Sequence, residues 1–288
     1  MIKNKKVKAI VCGLVLSLGA TLFVGCGNKA VEENKNNKQG TEQTSDASKT
    51  ASKIDEIKKA GKLVLGTCAD YPPYEFQVMK DGKSQIVGFD IEIAKEIAKD
   101  LGVELEIKDM DFDGLIPSLK TGKVDLVISG MTPTAERKKE IDFSKIYYKA
   151  VQSVIVRDED KAKFNTIESL SPVKIGAQTS SIQEKIAKEQ IKAAKVTSLG
   201  KVTELVLSLK TKKVDAIVVE YPVAKAYVEK EKDIVLSDVK VEDPDGGSAI
   251  GIEKGNTDLV EAVDKTIDRL VSEDKINKFV ADANAIEQ

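Results

Sequence analysis

Leu115–Ser129 reads "LIPSLKTGKVDLVIS", and Leu205–Val219 reads "LVLSLKTKKVDAIVV". About eight of the fifteen positions agree, at one fixed offset of about ninety residues. A short period would mean a solenoid; a single recurrence at this distance points to two copies of one unit, and so to two lobes built alike. Each copy reads as a helix feeding a buried strand that opens on an aspartate, Asp125 or Asp215. The strands close on Ser129-Gly130 and on Val219-Glu220. Ligands of open α/β sheets bind outside the carboxyl ends of strands. Two facing lobes would therefore set these two ends on opposite walls of one cleft.

The flanking sequence carries the same alternation. "KLVLGTCAD" reads as a short buried strand running into a loop. Ile91, Ile93, Ala94, Ile97, Ala98 and Leu101 recur at helical spacing, with Gly102 placed to cap the end. "VELEIKDM" alternates as a strand does, "DGLIPSLKTGK" is a helix with Pro117 near its start, and "VDLVISG" is a strand. The later copy gives a strand in "VKIGAQ", helices in "SSIQEKIAKEQI" and "VTELVLSLKTKK", and a strand in "VDAIVVE". Strand and helix in alternation predict α/β lobes with largely parallel sheets.

The ends and the composition bound the function. Lys3, Lys5, Lys6 and Lys8 precede an apolar run, Ala9–Gly25, in the manner of a secretory signal. The run ends in "LFVGC", which resembles a bacterial lipobox with Cys26 as the lipidated mature N-terminus. Phe23 departs from that pattern's aliphatic preference. Gly27–Ser52 has almost no large apolar residues and reads as a flexible tether. The chain of 288 residues has a net charge of −2, without the basic excess of a nucleic-acid binder. It contains no histidine, which removes histidine triads and histidine zinc sites. With Cys12 in the signal and Cys26 lipidated, Cys68 has no intrachain partner. No cofactor and no metal are called for.

"ADYPPYEF", "VGFDIEIAKEIAKDLGV", "FDGLIPSLKTGKVD" and "ISGMTPTAERKKEIDFSKIYY" together resemble the polar-amino-acid family of extracellular solute-binding proteins, receptor subunits of ABC importers. The resemblance spans nearly all of Ile54–Lys278. It implies the type 2 periplasmic-binding-protein fold: two α/β lobes, two hinge crossings and closure around one ligand. Residues 1–25 would be the signal and 26–52 the lipidated cysteine and tether. Residues 53–148 with 247–288 would form the first lobe, and 149–246 the second. The crossings fall near Tyr147–Val151 and Pro244–Ala249.

The same resemblance assigns the site. Arg137 would grip the ligand's α-carboxylate through paired charge-assisted hydrogen bonds, with Thr132 adding a hydroxyl. Thr134 is placed to cap the helix that follows. Ser181 and Glu184 have capping-box spacing, so a helix should begin there and offer free N–H groups to the carboxylate. Many relatives carry Gly-Thr-Thr where this chain has Ser180-Ser181-Ile182, so Ile182 leaves only its backbone amide. Gln178 is a further contact. Glu220, two residues before Pro222, would take the ammonium, with Ser129 and the Gly130 carbonyl completing its acceptors. Tyr71 and Phe112 would wall the side-chain pocket. Cys68 stands where relatives that bind basic amino acids often have aspartate, and Glu75 supplies an acid nearby.

The expected function is a substrate-binding lipoprotein that delivers a free L-amino acid to the permease and ATPase subunits of an ABC importer. It would be monomeric, anchored on the extracytoplasmic face of the cell membrane, and without enzymatic activity. Arginine or another basic amino acid is favoured over glutamine, and glutamine over the acidic amino acids. A dehydratase-like enzyme on the same fold and a ligand sensor for a signalling partner are the competing readings.

Overall fold

The computed structural model describes residues 52–243 and 246–286. The signal, Cys26, the tether, and Pro244 and Asp245 of the return crossing lie outside the described residues.

The chain opens with α1 (Lys53–Ala60) and β1 (Lys62–Thr67), then a small meander of β2 (Asp70–Tyr71), β3 (Glu75–Lys80) and β4 (Lys83–Val87). Next come α2 (Phe89–Leu101), β5 (Glu104–Asp109), α3 (Leu115–Lys120), β6 (Leu126–Val127), α4 (Arg137–Glu140) and β7 (Ile141–Tyr148). The middle holds β8 (Gln152–Arg157), β9 (Lys174–Gln178), α5 (Ile182–Gln190), β10 (Lys195–Leu199), α6 (Val202–Lys210), β11 (Ala216–Glu220), α7 (Tyr221–Lys230) and β12 (Ile234–Leu236). The chain returns through β13 (Ser248–Glu253) to α8 (Thr257–Ser272) and α9 (Lys275–Asn284).

These elements make a two-lobed α/β fold. One sheet runs β5-β1-β6-β13-β7, and the other β10-β9-β11-β8-β12. The chain passes from the first sheet to the second between Tyr148 and Gln152, and returns between Leu236 and Ser248. The periodicity of α2 is borne out: its predicted apolar positions are buried, and Gly102 ends it at φ 73°.

The sheets are largely parallel, as expected, but each carries one reversed strand. β5, β1 and β6 are parallel, but β13 runs antiparallel to both β6 and β7. In the second sheet β10, β9 and β11 are parallel, and β8 runs antiparallel to β11. Each crossing delivers a strand from the far end of the molecule, and such a strand enters the sheet in the opposite sense. The "VDLVISG" strand is also shorter than read. Only Leu126 and Val127 are extended in β6, because the chain turns at Gly130, where φ is 53°.

The twin phrases do the same structural work twice. Asp125 N–H donates to Val64 O (2.8 Å) while its carboxylate accepts from Val64 N (2.8 Å). Asp215 repeats this on Lys174, donating to its carbonyl (2.7 Å) and accepting from its N–H (3.0 Å). Each aspartate thus closes the backbone of the neighbouring parallel strand. Thr121 and Thr211 bond back to the carbonyls of Pro117 and Leu207 at the ends of α3 and α6 (2.9 and 2.8 Å). Gly122 and Lys212 take the left-handed turn that follows, at φ 67° and 62°.

Candidate functional site

A narrow cleft with a cavity of only about 10 Å³ lies between the sheets. Every wall of it is built at an element end. Tyr71 and Glu75 come from the β2–β3 turn, Phe112 from the single turn before α3, and Ser129 and Gly130 from the end of β6. Gly130 sits there because a Cβ would lie 3.3 Å from the Tyr71 ring and because its φ is left-handed. Cys68, Thr132 and Arg137 complete this side, and Gln178 and Ile182 face them from the second sheet.

Arg137 is the cation of the cleft. Its guanidinium donates to Thr132 O (2.8 Å) and, across the cleft, to Ser180 O (2.8 Å). Its Cζ stands 5.3 Å from the centre of the Phe112 ring. Burial lowers its pKa to about 10. Thr134 Oγ1 accepts from Arg137 N (3.3 Å), so the expected cap bond forms and fixes the start of α4. Opposite, Ser181 caps α5 by accepting from Glu184 N (3.1 Å), and its hydroxyl donates to Gln178 O (2.7 Å). Glu184 closes the box on Ser180 N (2.9 Å). Ser181 therefore orients the helix start and does not itself line the cleft.

Glu220 also stands outside the lining. Its carboxylate is 3 % exposed and accepts from the Tyr74 hydroxyl. Its backbone N–H donates to Tyr71 Oη (3.3 Å). Burial pushes this carboxyl up to about 8, against the lowering effect of Tyr74. Glu75 turns inward: fully buried, it accepts from the Ser129 hydroxyl, and burial raises its pKa well above the carboxylate range, with Asp90 adding to the rise. Burial likewise raises the Cys68 thiol, whose sulfur accepts from Gln178 Nε2 (3.5 Å) and lies 3.4 Å from an Asp70 oxygen.

Three groups were not foreseen in these roles. Asp70 caps α6 from the other side of the cleft, accepting from Val202 N, and Tyr227 donates to its carbonyl (2.7 Å). Burial raises the Asp70 carboxyl to about 6, although the Val202 N–H opposes this. Gln183 lines the cleft, donating to Tyr71 Oη (3.4 Å) and to Gln152 Oε1 (3.0 Å). Gln152 in turn donates to Asp243 (2.8 Å), tying the start of β8 to the segment that leads back to the first sheet. Asp90 lies behind the cleft, accepting from Gly130 N and the Tyr147 hydroxyl (both 2.9 Å). The position of Gln183 in the first turn of a helix beginning at the cleft was the available signal for it. Asp70 depends on how the lobes meet, and Asp90 on how α2 packs against β7 and the turn at Gly130.

The arrangement presents one cation, several buried carboxyls and two aromatic walls in a narrow cleft. It can hold a small zwitterion with a polar or positive tip.

The model of the bacterial extracellular solute-binding proteins, family 3, matches residues 63–282. The arginine-binding extracellular protein ArtP of Bacillus subtilis (strain 168) is 39% identical over 226 residues, covering 76% of this chain and 84% of that protein. A crystal structure of an amino acid ABC transporter substrate-binding protein from Streptococcus pneumoniae, bound to L-arginine, superposes with a TM-score of 0.80 at 39% identity. It covers 82% of this chain and 99% of that one. The ancestral amino-acid-binding protein AncCDT-1, a precursor of cyclohexadienyl dehydratase, gives 0.73 at 37% identity, over 80% and 99% of the two chains. This chain belongs to the bacterial extracellular solute-binding proteins of family 3.

Proposed function

We propose that the chain is the substrate-binding lipoprotein of an ABC importer and that its ligand is a basic L-amino acid, arginine first. The observation that carries the ligand class is Glu75. It is a fully buried carboxyl lining the cleft, and one of its oxygens, Oε2, has no hydrogen-bond donor. Buried polar groups are costly unless paired, and a guanidinium or ammonium tip would supply the missing donor. The arginine bound by the pneumococcal relative supports the same choice.

In this reading Arg137, with the first N–H groups of α5 and the Thr132 hydroxyl, takes the α-carboxylate. Glu220 takes the ammonium, helped by Ser129 and the Gly130 carbonyl. The aliphatic stem lies between Tyr71 and Phe112, and the tip meets Glu75 beside Cys68 and Gln178. Residues 53–148 with 247–288 form the first lobe and 149–246 the second, and they close on the ligand as a monomer. The chain performs no chemistry: amino acids incubated with it should be recovered unchanged by mass spectrometry.

A thermal-shift panel of amino acids tests the ligand class. At about 100 times its Kd, a true ligand stabilises the protein by about 2.7 kcal/mol. Arginine should give the largest shift, and a panel in which only glutamate or leucine shifts the transition contradicts the reading.

Cys26 carries the lipid that holds the protein on the extracytoplasmic face. Two acyl chains suffice for stable attachment where one is marginal. Cys26→Ser should abolish lipidation and membrane retention, and a variant still processed and membrane-bound like the parent excludes the anchor.

A further inference from the structure

Glu75 and Asp90 are both 0 % exposed, they accept from the successive residues Ser129 and Gly130, and Asp90 is near enough to raise the Glu75 carboxyl. Their hydrogen-bond partners are all donors. Glu75 Oε1 takes the Ser129 hydroxyl, and Asp90 Oδ2 takes Gly130 N and the Tyr147 hydroxyl. That leaves Glu75 Oε2 and Asp90 Oδ1, both buried and both without a donor. Two ionised carboxylates have only acceptors, so they cannot bond to each other. A single proton converts the two orphan oxygens into a donor and an acceptor.

We propose that Glu75 and Asp90 share one proton in the ligand-free protein, and that a cationic ligand side chain binds by displacing it. This rests on the basic-amino-acid reading above and adds Asp90 to the residues that set selectivity. A cation at Glu75 Oε2 supplies the charge and the donors that the proton supplied, so the proton leaves to solvent. A neutral side chain cannot replace it and leaves the pair protonated.

The surroundings favour this exchange. Asp70 and Tyr71 from β2, Cys68, Tyr147 from β7 and Glu220 from β11 face the pair, and none is a cation. Lys201 acts on Asp70 and Cys68, and Arg137 is held by Thr132 and Ser180. Burial raises Glu75 well above the carboxylate range and Asp90 to about 6, so the pair retains a proton at pH 7.

The test is calorimetric titration of the protein with L-arginine at pH 7, in buffers of different ionisation enthalpy. Release should approach one proton per arginine bound, and Kd should tighten up to about tenfold between pH 6 and pH 7. L-Glutamine, if it binds, should release none. Asp90→Asn keeps acceptors for Gly130 and Tyr147 and offers Glu75 an amide donor. It should bind arginine with no proton release and a flat pH profile. Tight arginine binding to the parent protein with no proton release overturns the exchange and leaves the receptor reading intact. Failure of arginine to bind, with another amino acid binding, overturns both.

Discussion

Arg137 does two jobs, and their separation is measurable. It is the cleft's cation, and through Ser180 O it is also a strap across the cleft. Arg137→Ala should weaken ligand binding by about 3–5 kcal/mol, since a buried carboxylate then loses its charged partner. Arg137→Lys should recover only part of this, because an ammonium lacks the planar fork. Titration calorimetry on the two variants checks both expectations. Asp70 and Glu220 predict a pH effect on the ligand-free protein. Burial raises both carboxyls, to about 6 and about 8, and opening the cleft hydrates them. The closed form therefore binds protons more tightly than the open one. Closure without ligand is favoured below the ordinary carboxylate range and loses that support as pH rises through about 6 and then about 8. Scattering should show a more open ligand-free protein at pH 8 than at pH 5, with Asp70→Asn flattening the lower part of the change. Arg137, Tyr71 and Phe112, which all line the cleft, were legible because the resemblance to the family's motifs implies them. Asp70 and Asp90 were not, because their partners, the Val202 N–H of the opposite lobe and the Tyr147 hydroxyl, are far away in sequence.

Among the elements, the twin phrases carry the most information about the fold, and the structure gives them a backbone reason. Asp125→Ala leaves the Val64 N–H and the Lys53 ammonium, 2.7 Å away, without their partner. Asp215→Ala does the same to the Lys174 N–H and removes one partner of Arg157, at 3.1 Å, which keeps Asp160 at 2.6 Å. Each should cost about 1–3 kcal/mol in urea denaturation, and the two losses should be similar. Unequal losses, with one near zero, would mean that the phrase is kept for something other than closing its neighbour strand. Helices were readable from period and caps. The β3–β4 hairpin was missed although its signal was present: Asp81-Gly82 forms a two-residue loop, with φ of 52° and 73°, between Lys80 and Lys83. The antiparallel entry of β8 and β13 was not legible locally, because strand sense follows from where the chain crosses between lobes. Those crossings are themselves clasped. Gln152 holds Asp243 on one side and Gln183 on the other. Gln152→Ala should weaken ligand binding by about 1 kcal/mol, roughly fivefold in Kd, without touching the ligand.

At the scale of the whole molecule, the sites on each sheet edge are half-sites. The first lobe brings the cation, the aromatic walls and the buried acids, while the second brings the α5 start, Gln178 and Gln183. Apolar packing and polar contacts both join them, the polar ones including Arg137 to Ser180, Asp70 to Val202, Tyr74 to Glu220 and Lys201 to Asp109 at 3.1 Å. Gly200 approaches Asp111 so closely that a Cβ would stand 2.7 Å from its carboxylate. Closure is therefore a specific docked state, and a ligand shifts the protein toward it only by binding it better than the open one. Gly200→Ala should resist closure and weaken ligand binding without unfolding either lobe. The most direct test of the central claim is small-angle scattering of the protein with and without saturating L-arginine. The radius of gyration should fall on adding arginine, should not change with glutamate, and should not change for Arg137→Ala at the same arginine concentration. A radius unchanged by saturating arginine in the parent protein would contradict closure of two lobes around a basic amino acid.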